Sequence, residues 1–187
     1  STFICLLMLS QSVAAQGADP QSANIQKVIV SSIQDLGFVV DREVDEGGVD
    51  VWQNENFWGY EGDSKYMING RNMRLTVFNH FNEQDAIDRM GDWCSLLSNS
   101  TSLHGYPACY TINYDTEDNL SSPPESHYYW RAGRLFFAIH LIPAEELGQS
   151  AETVYANAQK YGLLTDGTTG QDADADGVSD DIDKCPN

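Results

Sequence analysis

Two stretches of this chain follow one pattern, and the pattern confines most of it to antiparallel hairpins. Ser64-Lys-Tyr-Met-Ile-Asn-Gly-Arg71 and Ser126-His-Tyr-Tyr-Trp-Arg-Ala-Gly-Arg134 each open with Ser, place Tyr two residues on, run through apolar residues and turn at Gly-Arg. Each is followed by period-two alternation, Met73, Leu75 and Val77 in the first and Leu135, Phe137, Ile139 and Leu141 in the second. Alternation of this kind marks half-buried strands joined by turns. Each second strand nears its end at a histidine, His80 or His140, and feeds a helix. Hairpin-then-helix therefore occurs twice, unless two common hairpin patterns coincide by chance.

The remaining elements fit around that unit. Residues 22–36 place Ile25, Val28, Ile29, Ile33 and Leu36 on one helical face, with Gly37 as a stop. Phe38–Val44 and Val49–Trp52 alternate around Glu46-Gly-Gly48, a hairpin signal. A second helix over about 83–97 carries Ala86, Ile87, Met90, Trp93, Cys94 and Leu97 on one side, with Asn82 as its cap. A third, over about 150–161, carries Ala151, Val154, Tyr155, Ala158 and Tyr161, and Cys109–Tyr114 reads as a strand between the copies. Helices with one apolar stripe must cover a sheet face. The expectation is an α+β two-layer sandwich over residues 19–163: an antiparallel sheet of six or seven strands, three helices on one face. Residues 164–170 read as a polar Gly/Thr linker to a tail, 171–187.

In that tail Asp172, Asp174 and Asp176 alternate and Gly177 follows. Three carboxylates so spaced converge as the backbone turns, with the Val178 carbonyl at position seven, Asp180 at nine and Asp183 at twelve. Hard oxygen donors in a forgiving geometry suit calcium. The competing reading is a solvated acidic run. Cys185-Pro-Asn187 completes the pattern D-x-D-x-D-G-x-x-D-x-x-D-x-C-P-N, which resembles a thrombospondin type 3 repeat. The resemblance spans residues 172–187 alone. It implies calcium as the core of the segment, tandem copies in longer chains, and a partner for Cys185 in a neighbouring repeat. In bacteria it also implies continuation into a peptidoglycan-binding domain resembling outer membrane protein A.

At the other end, the apolar run Phe3–Leu9 leads through Ser-Gln-Ser to Val13-Ala-Ala15, with small residues at −3 and −1 of a cleavage before Gln16. Residues 1–18 read as the remnant of a secretory signal. Seven apolar residues fall short of the roughly 20 a membrane-spanning helix needs. The expected location is therefore exported: periplasm, cell surface or secreted. The net charge of −18 argues against nucleic acid, whose phosphates demand basic patches. Apolar residues at 41% and aromatics at 11% suffice for a core.

In an oxidising compartment Cys94 and Cys109 form the natural local disulfide, around a loop containing Ser-Asn-Ser-Thr-Ser and His-Gly-Tyr-Pro. The alternatives are buried free thiols or a catalytic cysteine. Asn99-Ser-Thr101 and Asn119-Leu-Ser121 are glycosylation sequons.

Hydrolase, metalloprotease, phosphate-loop and CxxC motifs do not occur. His80, His104, His127 and His140 are scattered in sequence, with a shared site for His80 and His140 conceivable at equivalent strand ends. Asn56-Phe-Trp-Gly-Tyr60 stands among polar and Gly residues where a loop is expected, which makes Phe57, Trp58 and Tyr60 candidate ligand contacts. Core packing is the alternative. The leading functional expectation is a non-enzymatic binding module of the cell envelope or exterior on a calcium-stabilised stalk, with a glycan, peptidoglycan-associated or protein partner. The alternatives are a secreted polymer hydrolase and a structural or adhesive matrix protein.

Overall fold

The computed structural model describes residues 19–42, 47–65, 70–97, 99–114 and 125–164. Residues 1–18, read above as a signal remnant, and the tail with Asp172, Asp174, Asp176, Val178, Asp180 and Asp183 lie outside the described residues.

Seven strands form one antiparallel sheet, and three helices complete an α+β fold. In chain order these are α1 (Ser22–Asp35), β1 (Asp50–Gln53), β2 (Phe57–Asp63), β3 (Asn72–His80), α2 (Glu83–Ser95), β4 (Asn99–Leu103), β5 (Tyr106–Tyr114), β6 (Glu125–Ala132), β7 (Leu135–Ile142) and α3 (Leu147–Lys160). The sheet order is β1-β2-β3-β7-β6-β5-β4, so β3 and β7 are central.

The helices do not share one face. Side chains at alternate positions divide the core in two: Leu75, Val77, Phe137, Ile139 and Trp130 point toward α1 and α3, which also pack on each other. Phe78, Phe136, Ala138 and Tyr129 point the other way, under Met90 and Trp93 of α2. The two-layer expectation is corrected to three layers. Phe136 and Phe137 are adjacent and both fully buried, which is possible only when both sheet faces are covered. The split also counts against a duplicated hairpin-helix unit, because β3 and β7 lie side by side and antiparallel while α2 and α3 leave on opposite faces.

The hairpin expected around Gly47-Gly48 is also corrected. β1 pairs with β2 across Asn54-Glu-Asn56, and Val40 makes only a single bridge, to Ser64. Asn54 Oδ1 accepts from the Asn56 and Phe57 amides at 2.8 and 2.9 Å, an Asx turn that closes the hairpin there. Ser64 therefore follows β2 rather than opening a strand, and the partner of β3 is Phe57–Asp63. Leu164 is buried, so the domain extends one residue into the segment read as linker.

Several readings hold. Gly37 ends α1 with φ 78°, and Asn82 caps α2 by accepting from the Asp85 amide at 2.9 Å. Cys94 and Cys109 are bridged with 5.7 Å between their Cα atoms, tying the end of α2 to β5. The closed loop contains the unanticipated β4, which turns into β5 at His104-Gly105, two residues of positive φ. No described helix is long and apolar enough to cross a membrane.

Candidate functional site

β6 and β7 form a hairpin closed by Ala132 and Leu135, and their register sets His127 directly opposite His140. Glu125, two residues before His127, shares its face because strand side chains alternate. The result is a convergence of three ligating groups whose donor atoms all lie within 4.8 Å of one another. Glu125 Oε2 is 3.6 Å from His127 Nε2 and 3.6 Å from His140 Nδ1, and the two imidazole centroids are 4.3 Å apart. At 3.6 Å neither contact is a hydrogen bond.

The neighbours orient this cluster. Tyr129, next on the same face of β6, has its hydroxyl 3.0 Å from His127 Nδ1, the ring nitrogen away from Glu125. Arg74 on β3 is the cross-strand partner of His140, but its Nε donates to Asp63 at 2.9 Å and lies 3.7 Å from Glu61. Its positive charge is thus largely offset. The side chains of His127 and His140 are 10% and 21% exposed, whereas Glu125 is 48% exposed, so the cluster opens to solvent on its carboxylate side. The His127 and His140 rings hold the Glu125 carboxyl far below the usual carboxylate range, and burial pushes His140 down. The cluster sits on the face that α2 covers, beyond the Phe78–Phe136–Tyr129 contacts of that helix.

The histidines paired by sequence do not meet. His140 lies opposite Arg74 on β3, and His80 is six residues further along that strand, about 20 Å away. His80 instead accepts from Arg89 Nε at 3.0 Å and packs on Phe57, with its centroid 5.2 Å away. It borders a cavity of about 270 Å³ lined also by Asn56, Asp85, Asp88, Asp92 and Trp93. His104 contacts Glu152 at 2.7 Å and stacks on Tyr155 at 4.0 Å.

The aromatic trio is separated by strand alternation. Residues 57–60 form part of β2 rather than a loop, so Phe57 turns under α2 and Tyr60 under α1. Their exposures of 7% and 0% remove both from any contact surface, a correction to the expectation. The Tyr60 hydroxyl donates to Asp19 Oδ2 at 2.6 Å, and burial raises its pKa. Trp58 is half-buried and lines a groove of about 290 Å³ with Asp19, Gln21, Asn79, Phe81 and Arg134.

Comparison with protein families, curated proteins and solved structures finds no match. Sequence reasoning missed Glu125 and did not pair His127 with His140. The signal was present: the Gly133-Arg134 turn fixes the hairpin, and counting outward from it brings position 127 against 140.

Proposed function

We propose that the chain is an exported binding module of the cell envelope or exterior, joined to a calcium-binding C-terminal repeat, and that its folded domain binds through the open half of the α2-covered sheet face. The observation that supports export is the Cys94–Cys109 disulfide, because such bonds persist in oxidising compartments and are rare in reducing ones. The binding reading draws on the Glu125, His127 and His140 cluster, which gathers three polar groups at a solvent opening in an otherwise well-packed sheet.

The calcium reading draws on the Asp172, Asp174, Asp176, Asp180 and Asp183 spacing, with the Val178 carbonyl between. Extracellular calcium modules bind at about 10⁻⁴ to 10⁻³ M, and the tail is expected in that range. Calcium titrated into the intact chain at millimolar concentration should give heat that Asp174→Ala with Asp176→Ala abolishes. Equal, negligible heat from both proteins would remove calcium from the proposal.

Export is tested in the native host by fractionation, N-terminal sequencing and thiol alkylation. The mature protein should begin at Gln16, lie outside the cytoplasm and carry no alkylatable thiol at Cys94 or Cys109. A cytoplasmic chain with both thiols reactive would overturn the assignment.

A further inference from the structure

We propose that Glu125, His127 and His140 bind a divalent transition-metal ion, through a Glu125 carboxylate oxygen, His127 Nε2 and His140 Nδ1. The inference rests on the open sheet face being the binding face of the module, and it gives that face a ligand chemistry distinct from the calcium of the tail.

Distance is the first argument. A tetrahedral ion with bonds of about 2.1 Å separates its ligand atoms by about 3.4 Å. Glu125 Oε2 stands 3.6 Å from both ring nitrogens, so two edges of such a polyhedron are already close to that length, and the third, between the ring nitrogens, is within 4.8 Å. Direct hydrogen bonds would have drawn the carboxylate nearer to one ring.

The second argument is orientation. A ligating imidazole holds its place when its other nitrogen donates to a fixed acceptor. Tyr129 provides that acceptor: with Nε2 given to the ion, Nδ1 of His127 carries the proton and donates to the Tyr129 hydroxyl oxygen at 3.0 Å. All four residues stand on paired strands, which locates ligands more tightly than loops do.

Charge and access agree. A glutamate side chain brings an anionic oxygen at neutral pH, and the guanidinium of Arg74, the cross-strand neighbour of His140, is already engaged by Asp63 and Glu61. Entry is from the exposed Glu125 side, where three protein ligands leave at least one coordination position for water or a partner's donor. Two imidazoles and one carboxylate favour zinc, copper, nickel or cobalt over calcium and magnesium, which prefer all-oxygen shells.

The test uses the full chain carrying Asp174→Ala and Asp176→Ala, so that the tail does not compete, stripped of metal and titrated with zinc against a chromophoric chelator. One equivalent should bind. Cobalt should give the intense visible bands of a four- or five-coordinate site. His140→Ala and His127→Ala should each weaken zinc binding by more than about 100-fold, and Glu125→Gln by at least about ten-fold. Because Glu125 is exposed, its variant should fold normally and keep the test valid if a histidine variant does not. Tyr129→Phe, a positioning change, should weaken zinc about ten-fold while leaving the visible spectrum of bound cobalt unchanged. Retention of full affinity in Glu125→Gln and His140→Ala, or zinc binding lost only on changing His80 or His104, would overturn the assignment. An exported protein that binds no zinc would sink the metal site alone, whereas a cytoplasmic one with an intact zinc site would sink the export reading alone.

Discussion

Arg89 lies over two rings at once, with its guanidinium carbon 4.4 Å from the Phe57 centroid and 4.2 Å from that of Phe78. Its Nε donates to His80 Nε2, which requires a lone pair there and fixes the proton of the neutral ring on Nδ1. That Nδ1 is buried without a partner among the described residues. Burial first, and then the Arg89 charge, pull the His80 pKa down to about 4. A histidine ordinarily titrates near 6.5, so between pH 6.5 and 4 the unfolded chain binds the extra proton and the folded one does not. Stability from this group is therefore complete above pH 6.5 and falls as the solution is acidified toward 4. Allowing for residual solvent screening, the loss is about 2 kcal/mol. Urea denaturation of the protein and of His80→Gln at pH 7 and pH 4.5 measures it. The parent should lose more stability on acidification than the variant, and parallel losses would remove His80 as the cause.

At the scale of elements, the close approach of α1 to β2 depends on a missing side chain. A Cβ at Gly62 would stand 2.3 Å from Ile29 Cγ2, inside the face that α1 packs. Gly62→Ala should force that helix outward and destabilise the domain by about 1–3 kcal/mol, read as a lower urea midpoint with an unchanged slope. Element identity was largely legible where periodicity was long. α1 and α2 appear where their apolar spacing places them because each buries one stripe, and β3 and β7 because the apolar set at alternate positions faces α1 and α3. Partnership was less legible. Gly47-Gly48 is a turn signal by composition alone, whereas the turn that pairs β1 with β2 depends on the Asn54 side chain, which accepts two hydrogen bonds and closes the hairpin. β2 was hidden because its Gly59 and Gly62 look like loop residues, although each marks a place where a neighbour lies against the strand. The candidate site was hidden differently: the Glu125 and His127 alternation is short, and His140 joins them only once the strand register is counted.

For the whole molecule, the unequal covering of the sheet sets its stability profile. α1 and α3 cover one side together, joined by the Ser31–Tyr161 hydroxyl contact at 2.8 Å and by Asn157, which donates to Ser32 and Asp35. α2 covers the other side by itself over a smaller apolar cluster, with its C-terminal end bonded to β5 through Cys94 and Cys109. In the chain-entropy view a loop of this length contributes about 3 kcal/mol. Replacing both cysteines with alanine should lower the unfolding free energy by about that amount, and an unchanged urea midpoint would show that the bond is dispensable. The consequence reaches beyond the total. With the covalent tie cut, α2 has no second helix to lean on, so this side becomes the one that breathes. Amide protons of residues 83–95 should then exchange well before those of α1 and α3, and the Phe78–Phe136 cluster beneath should become accessible to a hydrophobic dye while the opposite side stays closed.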